Sequence, residues 1–419
     1  MSSLFPSPSP PSNQNGRSAG RTRRLLLAIL AVAVALRVAF ILIYLEPGRI
    51  YFGDTVRYST AAESILAGKG LGADYARQPL YAVFLAGILA LFPGKLVAAQ
   101  LADAVLACLV VLLTYQVGKR IWSEREGLIG AALVALHPFL VALSGFLYAE
   151  VLFTLLLFLC VRILLDAESR RQAFLAGAVG GAAVLTKASG LAALLAGAIW
   201  LLLFAPLSRR TGRALCFMAG GALVVAPWVV RNYALFRDLS LVEARKEIHV
   251  YYAPDEPVPF RIEIQHRRMV RGAGGPGLQQ RGRRALSPAH VIEQLGAFWS
   301  LWPDRLKTAR RDVRLRSAAK DARVVVENHP IDKTARYRLP LAIVLAPYYV
   351  LAVAGLWLSR DRFRESSLLL LVILAFAFGR ALFVAKLRYR LPIEPAVALF
   401  AAAGLAWVAA WVLPRLRRG

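Results

Sequence analysis

Long apolar runs, broken by short charged turns, pattern this chain from residue 24 to residue 413. They fall at about 24–45, 79–93, 96–117, 127–146, 147–165, 173–187, 189–206, 214–230, 339–358, 367–385 and 393–413. Most approach the ~20 residues that cross a bilayer as a helix. The pattern predicts an all-α polytopic membrane protein, and a 58% hydrophobic content agrees with it. Residues 1–23, rich in Ser, Pro, Asn, Gly and Arg, read as a disordered cytoplasmic tail. The run 24–45 has no small-residue cleavage site, so it is expected to stay as the first span.

Charge then sets the topology. Short basic turns occur at "GKRIWSERE" (118–126), "DAESRRQ" (166–172), "SRRTGR" (208–213) and "SRDRFRE" (359–365), with "GRTRR" before the first span and the tail 414–419 after the last. Short loops rich in Lys and Arg stay cytoplasmic. All of these can do so together only if one run does not cross. Run 79–93 is short and bracketed by Pro79 and Pro93, as an interfacial segment would be. Its exclusion leaves about ten transmembrane helices in a domain 24–413, with both termini inside and outer segments at 46–95, 144–150, 186–190, 231–338 and 385–392. The net charge of +27 is spread over these loops and forms no compact patch, which argues against nucleic acid as a partner. Cys108, Cys160 and Cys216 lie in apolar runs, where they read as core residues.

The first outer segment opens on "GDTVRYSTAAESILAGKG" (53–70), with apolar positions at 58, 61, 62, 65 and 66. That spacing predicts a helix over 55–67 ended by Gly68 and Gly70. With 79–93 it makes two interfacial helices, a floor at the lipid boundary. In the long segment 231–338, "RGAGGPGLQQRGRR" (271–284) reads as a mobile stretch and 291–303 as an interfacial helix with Phe298, Trp299 and Trp302 toward the headgroups.

The same face gathers Asp54, Glu63, Arg77, Glu150, Lys187, Arg231, Lys386, Arg388, Tyr389 and Arg390. Charges near membrane depth are costly and tend to be functional. The chemistry that suits them is displacement of an anionic leaving group by a hydroxyl. A carboxylate takes the hydroxyl proton, while arginine and lysine stabilise charge growing on a phosphate. Plainer roles compete. Asp54 suits the N-cap of a helix starting at Thr55, Glu150 can cap a span, and the cations can snorkel as anchors. Glu63 falls on the polar face of its own helix. "RYRLP" occurs at both 336–340 and 388–392, each time before a span, where Tyr and Arg anchor and Pro suits a first turn.

The stretches 53–71, "RQPLYAVFLAGI" (77–88), "YAEVLFTLLLFL" (148–159), "LTKASGL" (185–191), "APWVVRN" (226–232) and "LRYRLPIEP" (387–395) resemble the GT-C membrane glycosyltransferases. The likeness is to the family 39 group, related to protein O-mannosyltransferases and the lipid A aminoarabinose transferase. The resemblance implies a GT-C fold and a polyprenyl-phosphate sugar as donor. It also implies a lipid, glycan or protein hydroxyl as acceptor, with the site on the outer face of the cell membrane. Carried over position by position, Asp54 matches the catalytic base and Glu150 the second acidic residue. Arg77 matches a basic position before the second interfacial helix, and Arg388 and Tyr389 the late pair near the donor phosphate. Lys187 joins Arg77 and Arg388 as a phosphate ligand. One departure is Thr55, where many members carry Glu after the Asp. A divalent metal is compatible with this chemistry, but no ligand cluster demands one. The competing expectation is a transporter or flippase for lipid-linked sugars, although such proteins place ionisable groups at mid-membrane in repeated halves. A scaffold using the basic loop 261–338 to bind acidic polymers is a third.

Overall fold

The computed structural model describes residues 14–45, 47–48, 53–71, 77–236, 247–251, 261–265, 287–301, 307–318, 321–332, 334–381 and 387–416. Trp302, Lys386 and the stretch 271–284 lie outside them. Helices occupy most of the described part of each predicted run; residues 382–385 of the run 367–385 lie outside the described residues. α1 (Gln14–Ala39) continues as a π turn to Tyr44, and its start lies within the predicted tail. There follow α2 (Gly53–Leu66), α3 (Leu80–Leu91), α4 (Leu96–Ile121), α5 (Glu124–Leu136), α6 (Pro138–Leu143) and α7 (Ala149–Leu165). Next are α8 (Arg170–Thr186), α9 (Gly190–Phe204), α10 (Arg210–Phe236) and α11 (Pro288–Phe298). The chain closes with α12 (Thr334–Leu358), α13 (Phe363–Ala381), the single turn α14 (Leu387–Arg390) and α15 (Glu394–Leu416). Between α10 and α12 the backbone also forms two antiparallel ribbons. They pair Glu247–Tyr251 with Arg261–Gln265, and Lys307–Ala318 with Asp321–Asp332.

Among the described residues, five stretches are long and apolar enough to cross a membrane: 20–44, 96–121, 210–235, 339–381, which holds both α12 and α13, and 387–412. The predicted run 127–146 is two helices, α5 and α6, because Pro138 removes a backbone donor and the chain turns extended at His137. Small residues set the closest helix crossings. A Cβ at Gly177 of α8 would run into the carbonyl of Phe217 on α10, and one at Gly355 of α12 into that of Phe400 on α15. Overpacking such a contact costs about 1–3 kcal/mol or more. Gly355→Leu is therefore expected to lower the yield and melting temperature of detergent-purified protein, whereas the same change at Gly87, which meets nothing within 4 Å, is not.

Hydrogen bonds tie the predicted cytoplasmic turns to one another at one end of the bundle. Thr22 Oγ1 donates to Glu124 Oε2 at 2.7 Å and Arg120 Nε meets Asp166 Oδ1 at 2.6 Å. Arg213 Nη2 donates to the Ala167 carbonyl at 2.5 Å, and Trp122 Nε1 to Ser359 Oγ at 3.0 Å. The parity argument that kept 79–93 from crossing requires this grouping.

The other end carries the predicted floor. α2 begins two residues before the expected Thr55 and ends as predicted, with Gly68 at φ +73°. Lys69 N donates to the Ser64 carbonyl and Gly68 N to that of Ile65, each at 3.0 Å, a Schellman closure that needs a left-handed residue. The predicted stripe is buried at 58, 61 and 62, whereas Ile65 is half-buried and Leu66, at the helix end, is exposed. Tyr58, Ala61 and Ala62 pack on Tyr81, Ala82 and Leu85 of α3, and this cluster continues into Ala99, Leu147 and Leu152. The expectation that Phe298 faces lipid headgroups is not met. Phe298 is 0% exposed, because the end of α11 docks into the core beside α13 and α14; Trp299, which follows it, is 36% exposed.

Candidate active site

Five helix ends converge above this floor and bring six predicted residues, two of them from one turn. Asp54 lies in the first turn of α2, Arg77 just before α3, and Glu150 in the first turn of α7. Lys187 caps the C-terminus of α8, and Arg388 and Tyr389 form the middle of α14. Three local devices fix them. Thr55, the residue that departs from the family pattern, is 1% exposed and its hydroxyl donates to the Phe146 carbonyl at 2.8 Å. It thereby ties the start of α2 to the turn before α7. Gln100 of α4 clips the same region, accepting from Gly48 N and donating to the Gly145 carbonyl, each at 2.9 Å. Leu147 then takes φ +52°, a region that non-glycine residues rarely enter, and this turns the chain into Tyr148 and Glu150.

All six predicted site residues meet. Arg388 Nη2 lies 2.8 Å from Asp54 Oδ2 and Arg388 Nε 3.9 Å from Glu150 Oε1, so one guanidinium bridges both carboxylates. Arg77 Nη1 reaches Asp54 Oδ1 at 3.3 Å, and Lys187 Nζ pairs with Glu150 Oε1. The Tyr389 ring lies under Lys187 Nζ at 5.2 Å and Arg388 at 5.1 Å, and Arg388 Nη2 donates to its hydroxyl at 3.5 Å. The idea of Asp54 as only a helix cap gives way to this geometry: α2 starts before it, and its carboxylate engages arginines. A first-turn carboxylate also suits the helix dipole.

Three participants escaped the sequence. Arg57 Nη1 stands 3.9 Å from Asp54 Oδ1, three residues along the same helix, a spacing that could have flagged it. Arg380 lies 4.3 Å from the Tyr389 ring centroid, and Tyr148 lies 5.2 Å from the Arg388 guanidinium. Arg380 was hidden inside an apolar run. Of the other cations named on this face, Arg231 stacks on Trp228 at 4.5 Å, and Glu63 is exposed as expected.

The electrostatics follow. Among the described residues, Arg57, Arg77, Lys187 and Arg388 pair with the two carboxylates, and Arg380 stacks on Tyr389 beside them. Burial disfavours ionised Asp54, but Arg388, Arg77 and Arg57 outweigh it and hold the carboxyl below its ordinary range. The buried Arg388 Nε has no hydrogen-bond acceptor among the described residues, a donor suited to an anionic oxygen. Among the described residues no three of His, Cys, Asp and Glu gather as metal ligands. Cations engage both carboxylates, so the described donor set does not fit a divalent metal.

Residues 76–230 match the family described as dolichyl-phosphate-mannose-protein mannosyltransferase. That segment contains Arg77, Glu150 and Lys187, while Asp54, Arg388 and Tyr389 join them through the fold. No curated protein sequence matches the chain. Solved structures do. The apo oligosaccharyltransferase of Archaeoglobus fulgidus superposes with a TM-score of 0.56 at 14% identity, over 94% of this chain and 52% of that one. ArnT of Cupriavidus metallidurans bound to undecaprenyl phosphate gives 0.55 at 14% identity, over 91% and 60%. The Archaeoglobus fulgidus AglB in complex with an inhibitory peptide and a dolichol-phosphate gives 0.55 at 14% identity, over 93% and 51%. The chain thus spans half to three fifths of the length of these structures. The near whole-chain superpositions show that this chain has the fold of these membrane proteins, the GT-C fold.

Proposed function

We propose that this protein is an integral-membrane glycosyltransferase that moves a sugar from a polyprenyl-phosphate donor to a hydroxyl on a lipid, glycan or protein, on the outer face of the cell membrane. The observation that carries the reading is Arg388. One guanidinium touches both acidic residues and, among the described residues, keeps a buried N–H without an acceptor, beside Lys187 and Arg77. A phosphate there gains charge-assisted bonds from Arg388, Lys187 and Arg77, and Tyr389 positions it. The structurally similar ArnT bound to undecaprenyl phosphate and AglB in complex with a dolichol-phosphate support this choice of donor.

The step is a single displacement. The acceptor oxygen bonds to the anomeric carbon as the carbon–oxygen bond to phosphate breaks, and the electron pair leaves on the phosphate. Asp54 takes the hydroxyl proton, and the configuration inverts. Glu150 holds Lys187 and Arg388 in place through its ion pairs. As the phosphate draws Arg388 and Arg77 away from Asp54, the carboxylate regains basicity where the proton is released.

A pH dependence follows. The arginines depress the Asp54 pKa in the free protein, and a bound anion opposes that shift. The acid limb of kcat/KM reports the free protein and that of kcat the complex. The limb in kcat is therefore expected at higher pH than the limb in kcat/KM, as read from paired pH–rate profiles in nanodiscs. Arg77→Gln should move the kcat/KM limb upward.

The reading itself is tested by ligand binding. Nanodisc-reconstituted protein is expected to bind polyprenyl monophosphate and not the matching polyprenol, which has the same tail without the charge. Equal binding of the two would remove phosphate recognition from this site.

A further inference from the structure

Beside the cluster lies a second, buried ion pair that the proposed reaction does not use. Arg390 and Glu394, one helical turn apart, are both 0% exposed. Arg390 Nε donates to Glu394 Oε1 at 2.6 Å, and its Nη1 donates to the carbonyls of Phe298 and Ser300, both at 2.9 Å. Those carbonyls belong to the C-terminal end of α11, where backbone acceptors lack helical partners and the dipole is negative. Glu394 is held in turn from α12. Tyr349 donates to Oε1 at 2.7 Å, Tyr348 donates to Oε2 at 3.0 Å, and His137 Nε2 stands 3.8 Å from Oε2. Four elements, α11, α12, α14 and α15, are joined at one point.

Stability alone is a weak reason to bury an ion pair, since well-packed apolar residues often serve as well. Placement gives a better one. α14 has four residues, and an isolated turn cannot hold its own geometry. Arg388 sits inside that turn, two positions before Arg390, and takes its orientation from whatever fixes the turn. Arg390 also uses its guanidinium as a fork between a carboxylate and two carbonyls, which a lysine cannot reproduce.

We propose that Arg390 and Glu394 are positioning residues: their pair locks α14 to the docked end of α11, and so sets Arg388 over Asp54 and Glu150. This rests on the reading of Arg388 as a donor-phosphate ligand. The clamp is formed only with α11 seated, which ties the long segment between α10 and α12 to donor binding.

A double-mutant cycle tests this, with the affinity of nanodisc-reconstituted protein for polyprenyl monophosphate as the readout. Arg390→Lys is expected to weaken binding about tenfold, the scale on which supporting partners act on a site. Added to Arg388→Gln, it is expected to cause no further loss, because its effect passes through Arg388. Hydrogen exchange across 288–298 should quicken in Arg390→Lys. Tyr349→Phe, a milder change that removes one bond to Glu394, should weaken binding in the same direction if Arg390→Lys does not fold. Losses that multiply in the double variant would overturn the coupling, as would unchanged affinity in both supporting variants while Arg388→Gln still lost binding. Wild-type affinity in Arg388→Gln would instead remove the phosphate reading, and this proposal with it.

Discussion

Asp54→Asn is expected to stop sugar transfer while leaving lipid-phosphate binding intact or tighter. The amide keeps the size of the carboxylate, so α2 and the Thr55 tether should survive. It loses the negative charge that accepts the acceptor's proton, and a general base contributes about 10²–10⁴-fold to rate. The same loss leaves Arg388, Arg77 and Arg57 without their shared counterion, which makes the site more attractive to a phosphate. Single-turnover transfer and binding of polyprenyl monophosphate, measured on one preparation, separate the two effects. Transfer above a tenth of the wild-type rate would exclude Asp54 as the base.

The second large effect is expected at Arg388. Arg388→Gln removes the bridge between Asp54 and Glu150 and the donor at Nε. Transfer should fall by about 10²–10³-fold, the scale of losing one preorganised donor at a developing anion. Unlike Asp54→Asn, it should weaken donor binding as well. Arg388→Lys should not rescue it, because a point charge cannot reach both carboxylates as the planar fork does. Steady-state kinetics in nanodiscs with donor concentration varied would show a raised KM together with a lowered kcat. A change in kcat alone would place Arg388 away from the phosphate.

The parts of the fold and site that the sequence made legible were those written as local pattern plus charge. Apolar run length located the helices, five stretches of which are long and apolar enough to cross a membrane among the described residues. The glycines after α2 marked its end. Asp54, Arg77, Glu150, Lys187, Arg388 and Tyr389 stood out because each is a polar residue at the end of an apolar run. Arg380 did not, since it lies within one. The Arg390–Glu394 spacing was visible in "RYRLPIEP", but its meaning depends on Tyr348, Tyr349 and the Phe298 carbonyl, which are remote in sequence. Phe298 was misplaced for a related reason: an aromatic near the end of an amphipathic helix suits a membrane interface as well as a core, and only the docking of α11 on Arg390 decides.

The most direct measurement of the central claim follows both ends of one labelled molecule. Wild-type protein in sealed proteoliposomes would receive a polyprenyl-phosphate sugar of known anomeric configuration, labelled in the sugar, with a membrane lipid and glycan extract. The account requires label to appear on an acceptor with inverted configuration, together with stoichiometric polyprenyl phosphate. Intact donor crossing the bilayer with no cleavage would contradict it and identify a transporter.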